Sequence, residues 1–184
     1  MRSLAVLLSL LAGPALATGL QIEVAGEANG TITIDLLDDV APKHVAQIAA
    51  LAADGAYDGV VFHRVIDGFM AQTGDVEFGD STDAGFSMRM AGRGGSDLPD
   101  LPAEFSKVPY DRGVVGMARS QNPNSANSQF FIMFAPGYFL NGQYTVVGRV
   151  TDGMQVVDAI KRGEGPNGSV IGTPDMMKKV TVTD

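Results

Sequence analysis

The sequence predicts a mainly β domain, an antiparallel barrel or sandwich with two helices as lids, and three observations lead there. Short alternating or apolar runs recur along the chain, 23 glycines and nine prolines punctuate them, and only two segments repeat apolar residues at helical spacing. A chain of 184 residues, 45% of them hydrophobic and with no long low-complexity stretch, has material for one core.

Residues 1–17 stand apart. Arg2 provides a short positive region, Leu4 to Leu11 is almost unbroken apolar, and Ala15-Leu16-Ala17 has the small-residue pattern of a cleavage site. The apolar run is well short of the roughly 20 residues that span a bilayer, so a removed secretory signal cleaved after Ala17 is expected rather than an anchor. The mature domain would then be residues 18–184, periplasmic or secreted, with no stable membrane insertion.

Thr31-Ile32-Thr33-Ile34-Asp35 alternates as a half-buried strand should. A helix follows: Pro42 suits the first turn, Val45, Ile48, Ala49 and Ala52 recur on one face, and Gly55 stops it. Val60 to Ile66 and Met70 to Thr73 read as strands, and Phe78 to Pro102 is a turn-rich surface segment dense in Gly and Pro. Within it Gly92-Arg93-Gly94-Gly95 lacks both the spacing and the Gly-Lys-Ser/Thr ending of a phosphate loop. Val114 to Ala118, Gln129 to Phe134 and Thr145 to Val150 are further strands. Asp152 is placed to cap a second helix with Met154, Val157 and Ile160 on one face, closed by Lys161, Arg162 and Gly163. Val180-Thr181-Val182 is the last strand.

Composition narrows the chemistry. A net charge of −8 and a pI near 4.6 argue against a nucleic-acid partner. With no Cys and only His44 and His63, disulfides are impossible and a zinc site is not expected. No cofactor is expected. Ser128 beside Gln129 lacks the G-x-S-x-G elbow of a hydrolase.

The stretch Val61 to Asp75, VFHRVIDGFMAQTGD, holds an Arg, an amide and large apolar side chains but no nucleophile or carboxylate pair. Strand alternation puts Arg64 on the face opposite His63, which reads as a hydrogen-bonded structural histidine, and puts Met70 and Gln72 on one face. In Ser128 to Phe134 it sends Phe130, Ile132 and Phe134 inward and turns Gln129 and Phe131 outward. A packed barrel interior leaves its outer wall for a site. By composition alone Arg64 would be a surface ion-pair partner and Phe69, Met70 and Phe131 would be core.

Phe62-His63-Arg64-Val65-Ile66, Gly68-Phe69-Met70-x-Gln72-x-Gly74-Asp75, Glu104-Phe105, Arg112-Gly113-Val114, Met117-Ala118, Asn124, Ser128-Gln129-Phe130-Phe131-Ile132, Leu140-Asn141-Gly142 and Gly148-Arg149-Val150 together resemble the cyclophilin-type peptidyl-prolyl isomerases, in order from about Gly30 to the C-terminus. The resemblance implies a closed eight-stranded antiparallel barrel capped by two helices, with a groove for X-Pro peptides on its outer surface. It implies Arg64 as the catalytic residue, Phe69, Met70, Phe131 and Leu140 as walls of a proline pocket, and Gln72 and Gln129 as groups that hold the peptide. Ala118, Arg119 and Ser120 match the segment whose backbone lines the groove. The implied partners are X-Pro segments of unfolded or newly exported polypeptides, met by a monomer. A peptide-holding chaperone with little turnover is the competing reading.

An Arg suits such a reaction. Rotating a peptide bond costs about 18 to 20 kcal/mol because the nitrogen lone pair is delocalised into the carbonyl. At the twisted transition state that pair is free to accept a hydrogen bond, so a guanidinium placed there favours the twisted state over the planar one. Several positions depart from the best-known eukaryotic members. Phe139 stands where Trp is frequent at the groove edge, Tyr144 where His is frequent, and Asp67 where Pro is frequent. Arg119 and residues 121–127 differ in composition, and the latter segment is one residue longer. The changes at Phe139 and Tyr144 resemble bacterial exported members. Phe lacks the indole N–H donor, so weak cyclosporin binding is expected.

Overall fold

A computed structural model describes residues 19–183; the expected signal, and its cleavage point after Ala17, lie outside them. Eight strands form one antiparallel sheet: β1 Gly19–Ala25, β2 Gly30–Leu36, β3 Arg64–Ile66, β4 Met70–Thr73, β5 Val114–Met117, β6 Phe130–Met133, β7 Val146–Asp152 and β8 Met176–Thr183. Their order across the sheet is β3-β4-β6-β5-β7-β2-β1-β8. Two helices, α1 Pro42–Ala53 and α2 Met154–Ala159, accompany it, and α1 packs against β8.

The expected closed barrel is not formed: the strand ladder is an open half-barrel with β3 and β8 at its edges. β3 has only three residues, and its free side meets a returning loop, where Gly163 N–H donates to Val65 O and Arg64 bridges Ser169. The chain just before β3 meets the start of β8 outside the ladder, at the Val61–Met176 bridge, where Gly59 N–H donates to Met177 O, Met177 N–H to Val60 O and Phe62 N–H to Asp175 O, while the Val61 amide donates to Gly79 O.

Three strands differ most in extent from their sequence patterns. Of the expected Val60 to Ile66 only Arg64–Ile66 is strand, and Val60 and Val61 make isolated bridges to Asp80 and Met176. β1 alternates cleanly, with Leu20, Ile22 and Val24 buried and Gln21 and Glu23 exposed, and pairs Leu20 with Ile34 and Ile22 with Ile32. It lay unrecognised beside the apolar N-terminal run. β8 starts four residues earlier than Val180 because a register shift opposite Glu23 and Val24 leaves Lys178 and Lys179 exposed in succession. Such a bulge breaks the alternation on which recognition depends.

α1 follows its pattern, with Pro42 in the first turn, Val45, Ile48 and Ala52 buried, and Gly55 beyond its end at φ +74°. α2 is shorter than expected, and Asp152 is not its cap. Gly153, at φ +87°, takes that position because a Cβ there would collide with the Thr31 carbonyl. Ile160 has already left helical geometry, so Lys161 and Arg162 bind elsewhere, to Thr173 O and to Asp67.

The sheet separates two apolar clusters. Phe130, Ile132 and Phe134 pack inside with Leu20, Ile34, Ile48 and Val115, while Phe131 and Met133 pack outside with Met70, Tyr110, Val114, Leu140 and Val146. β6 is therefore buried on both faces. Each large side chain removed from water contributes about 1.5 to 3 kcal/mol, so the outer cluster is a rigid wall.

Candidate active site

Strand register assembles the site. Arg64 of β3 lies opposite Gln72 of β4, Gln72 opposite Phe131 of β6, and Phe131 opposite Gly116 of β5. This row crosses the outer face. Gly116 makes room for it, since a Cβ there would lie 2.5 Å from Tyr110 Oη and 2.6 Å from Phe131 Cζ.

The half-buried Arg64 is fixed from two sides. Its Nε donates to Asn167 O at 2.9 Å and its Nη1 to Gln72 Oε1 at 3.1 Å, with a looser approach to Met70 Sδ at 4.0 Å. The Gln72 amide donates to Gln129 Oε1 at 2.9 Å, and Gln129 donates to Gly94 O at 2.8 Å. Each amide thus orients the next. Among the described residues no carboxylate pairs with Arg64, and burial lowers its pKa from the ordinary value; a guanidinium stays charged in any case. Its Nη2 amino group has no partner among the described residues.

Beside it opens a cavity of about 270 Å3 lined by Arg64, Phe69, Met70, Gln72, Ala118, Arg119, Phe131, Phe139, Leu140 and Tyr144. Met70, Phe131 and Leu140 are buried and make its floor, whereas Phe139 is 66% exposed at the lip. Phe131 is held by Tyr110, stacked at 5.8 Å between centroids, and by the edge of Tyr144 at 5.9 Å. Phe69 packs on Phe139 at 5.5 Å. A short 3-10 turn, Tyr138–Leu140, presents this lip, and Asn141 Oδ1 anchors it by accepting Tyr110 N–H.

Ten of the twelve residues named from the sequence line this cavity. Ser120 and Gln129 do not; they line an adjoining one with Gln72, Ala118 and Arg119. Sequence reasoning missed Asn167, whose carbonyl aims Arg64. The turn Pro166-Asn167-Gly168, with Asn167 at φ +57°, carried a local signal for a turn but none for its partner. Asp67 is 82% exposed and pairs with Arg162 outside the cavity lining.

His63 is buried on the opposite face from Arg64, and neither ring nitrogen meets full hydrogen-bond geometry among the described residues, although Val61 and Gln129 stand close enough to raise its pKa slightly against burial. Gln129 lies near it yet gives its amide to Gly94 O. Burial pushes His63 down to about 4, against the pull of Asp75 and with a small push from Arg64. It is a neutral ring beneath the glycine loop, where Gly92 leaves no room for a Cβ.

A model of the cyclophilin type peptidyl-prolyl cis-trans isomerase family matches residues 20–183. The chain belongs to that family. A probable peptidyl-prolyl cis-trans isomerase of Brucella suis is 62% identical over 154 residues, covering 84% of this chain and 78% of that one. Among solved structures, a cyclophilin from Hirschia baltica is 28% identical with a TM-score of 0.70, covering 89% of this chain and 73% of that one. A cyclophilin type isomerase of Cryptosporidium parvum, solved in the presence of the dipeptide Ala-Pro, is 26% identical with a TM-score of 0.73, covering 90% and 99%. This cyclophilin is accordingly a peptidyl-prolyl cis-trans isomerase, and the cavity beside Arg64 is the pocket to test for its chemistry.

Proposed function

We propose that Arg64 is the catalytic residue, that the cavity beside it receives the proline ring, and that the clients are X-Pro segments of unfolded or newly exported polypeptides. One observation carries the reading: a guanidinium whose Nη2 has no partner among the described residues stands at the edge of an apolar floor, held by Asn167 O and Gln72 Oε1. Met70, Phe131 and Leu140 accept the ring and exclude water, which strengthens the contact between the Arg64 Nη2 donor and the prolyl nitrogen. Gln72, Gln129 and the backbone of Ala118 to Ser120 hold the flanking chain so that the bond turns against a fixed part. No proton is transferred and no covalent bond forms, so the buried, neutral His63 and the base-less Ser128 have no part in the step.

One charge-assisted hydrogen bond contributes about 1.5 to 3 kcal/mol, which is roughly ten- to a hundredfold in rate. Arg64→Ala is therefore expected to lower kcat/KM by at least about tenfold in a coupled cis/trans assay on a short X-Pro peptide. Equal rates would favour a peptide-holding chaperone instead. Export rests on the sequence of residues 1–17. N-terminal sequencing of the protein recovered from its native cells should start at Thr18; an intact Met1 in a cytoplasmic fraction would contradict export.

A further inference from the structure

The adjoining cavity, about 250 Å3, lies between the loop Gly92 to Gly94 and residues 118–129, and shares Gln72, Ala118 and Arg119 with the first. Its lining is unlike the apolar floor next door. It contains Ser120, Ser125, Asn127 and Gln129, two arginines, and no acidic side chain. In a chain of net charge −8 this is a local reversal of sign.

Both cations are available to a ligand. Arg119 is anchored by neutral acceptors alone: Nε and Nη2 donate to Gln143 O at 3.1 and 2.9 Å, Nη1 to Ser120 O at 2.9 Å, and the guanidinium lies 4.3 Å above the Tyr144 ring. The Arg93 side chain is exposed and, among the described residues, has no hydrogen-bond or ion-pair partner. The nearest acid beneath the loop is already satisfied. Asp75 is fully buried and accepts Gly92 N–H at 2.6 Å and Gly94 N–H at 3.0 Å on one oxygen, and Glu77 and Phe78 N–H at 3.1 and 3.0 Å on the other. Glu77 accepts only a long contact from Gly95, and Asp100 is drawn to Asn127 Nδ2. Ser128 also lines the cavity, but its Oγ is closed off from solvent and has no partner among the described residues, so contact with a ligand falls to the two arginines.

We propose that this cavity is a subsite for an acidic side chain, Asp or Glu, of the same polypeptide whose proline occupies the first cavity, with Arg93 and Arg119 as its specificity-determining residues. This rests on the reading of the first cavity as the prolyl pocket. Because the two cavities share walls, and an extended chain advances about 3.3 to 3.6 Å per residue, the carboxylate belongs within about three residues of the proline. The rotating bond gains nothing directly from this contact. It fixes the chain, so the discrimination falls on KM more than on kcat.

The test uses X-Pro peptides with a single Asp, Asn or Lys placed in turn at each of about three positions on either side of the dipeptide. At one position the wild-type protein is expected to turn over the Asp peptide about three- to tenfold more efficiently than the Asn peptide, with Lys poorest. The ratio should collapse at about 0.5 M salt, where the screening length is only a few ångströms. Arg93→Glu should abolish or invert the order, and Arg93→Lys should keep it. Equal kcat/KM for Asp, Asn and Lys at every position overturns the subsite, as does an acidic preference that ignores both salt and Arg93→Glu. Failure of the Asn peptides to turn over at all sinks the prolyl-pocket reading instead, so the two failures are told apart.

Discussion

Gly116→Ala probes whether the floor of the prolyl pocket is set by a missing side chain. The added methyl would sit 2.5 Å from Tyr110 Oη and 2.6 Å from Phe131 Cζ, about 1 Å inside ordinary carbon contact. Alanine at an unstrained glycine restricts the unfolded chain and by itself stabilises by about 0.4 to 1 kcal/mol. Overpacking a filled site costs about 1 to 3 kcal/mol, so strain wins and a net loss of about 1 to 2 kcal/mol is expected. Phe131 cannot retreat, since Tyr110 stacks on one side and Tyr144 meets it edge-on. Its ring therefore moves into the cavity, and kcat/KM on an X-Pro peptide should fall about tenfold, equivalent to roughly 1.4 kcal/mol. Urea titration and the coupled assay read the two effects. In a Phe131→Leu background, which removes the colliding Cζ, the same Gly116→Ala step should cost less in both. Undiminished activity and stability in Gly116→Ala, or equal costs in the two backgrounds, would refute the packing argument.

Two further outcomes follow from other parts of the site. His63 is held near 4 in the folded chain against an ordinary 6.5, so the unfolded state binds more protons between these values. Its contribution is complete above pH 6.5 and is lost as pH falls toward 4, by about 3 kcal/mol at most on the scale of 1.36 kcal/mol per unit. Urea midpoints should fall across that window, and His63→Leu should flatten the decline; an unchanged slope would show that another group is responsible. Phe139, at the lip with no indole N–H to offer, should leave cyclosporin bound only weakly while activity persists, and nanomolar affinity in a titration would contradict this.

What the sequence made legible was mainly the direction of side chains. Period-two alternation separates Phe130 from Phe131, and the structure puts the first in the inner core and the second on the outer wall. The same rule put Met70 and Gln72 on one face, and the β3–β4 register then brings that face beside Arg64. Local patterns failed where a neighbour in space decides the outcome. Asp152 carries a capping side chain, yet the approach of Thr31 O selects Gly153 for the cap. The bulge opposite Lys178 hid half of β8. Closure of the barrel was an expectation from family resemblance, and the brevity of β3, with a loop on its free side, left the ladder open.

Arg64 shows where that limit falls for function. Its identity as a candidate came from a motif, but what makes a cation useful here is its aim, and the aim depends on acceptors that no local pattern connects to it. Gln72 is eight residues away and faces Arg64 across a tight hairpin, so that tether was within reach of strand reasoning. Asn167 is 103 residues away and offers a backbone carbonyl, a group every residue has. Only its left-handed turn distinguishes it, and that turn says how the chain bends and nothing about what the carbonyl meets. The same holds for Arg93. In sequence it belongs to a loop without a phosphate-binding pattern, and it becomes a candidate for substrate selection only because the Gly92 and Gly94 amides on either side of it donate to Asp75 and pin that loop against the cavity shared with Gln72 and Arg119.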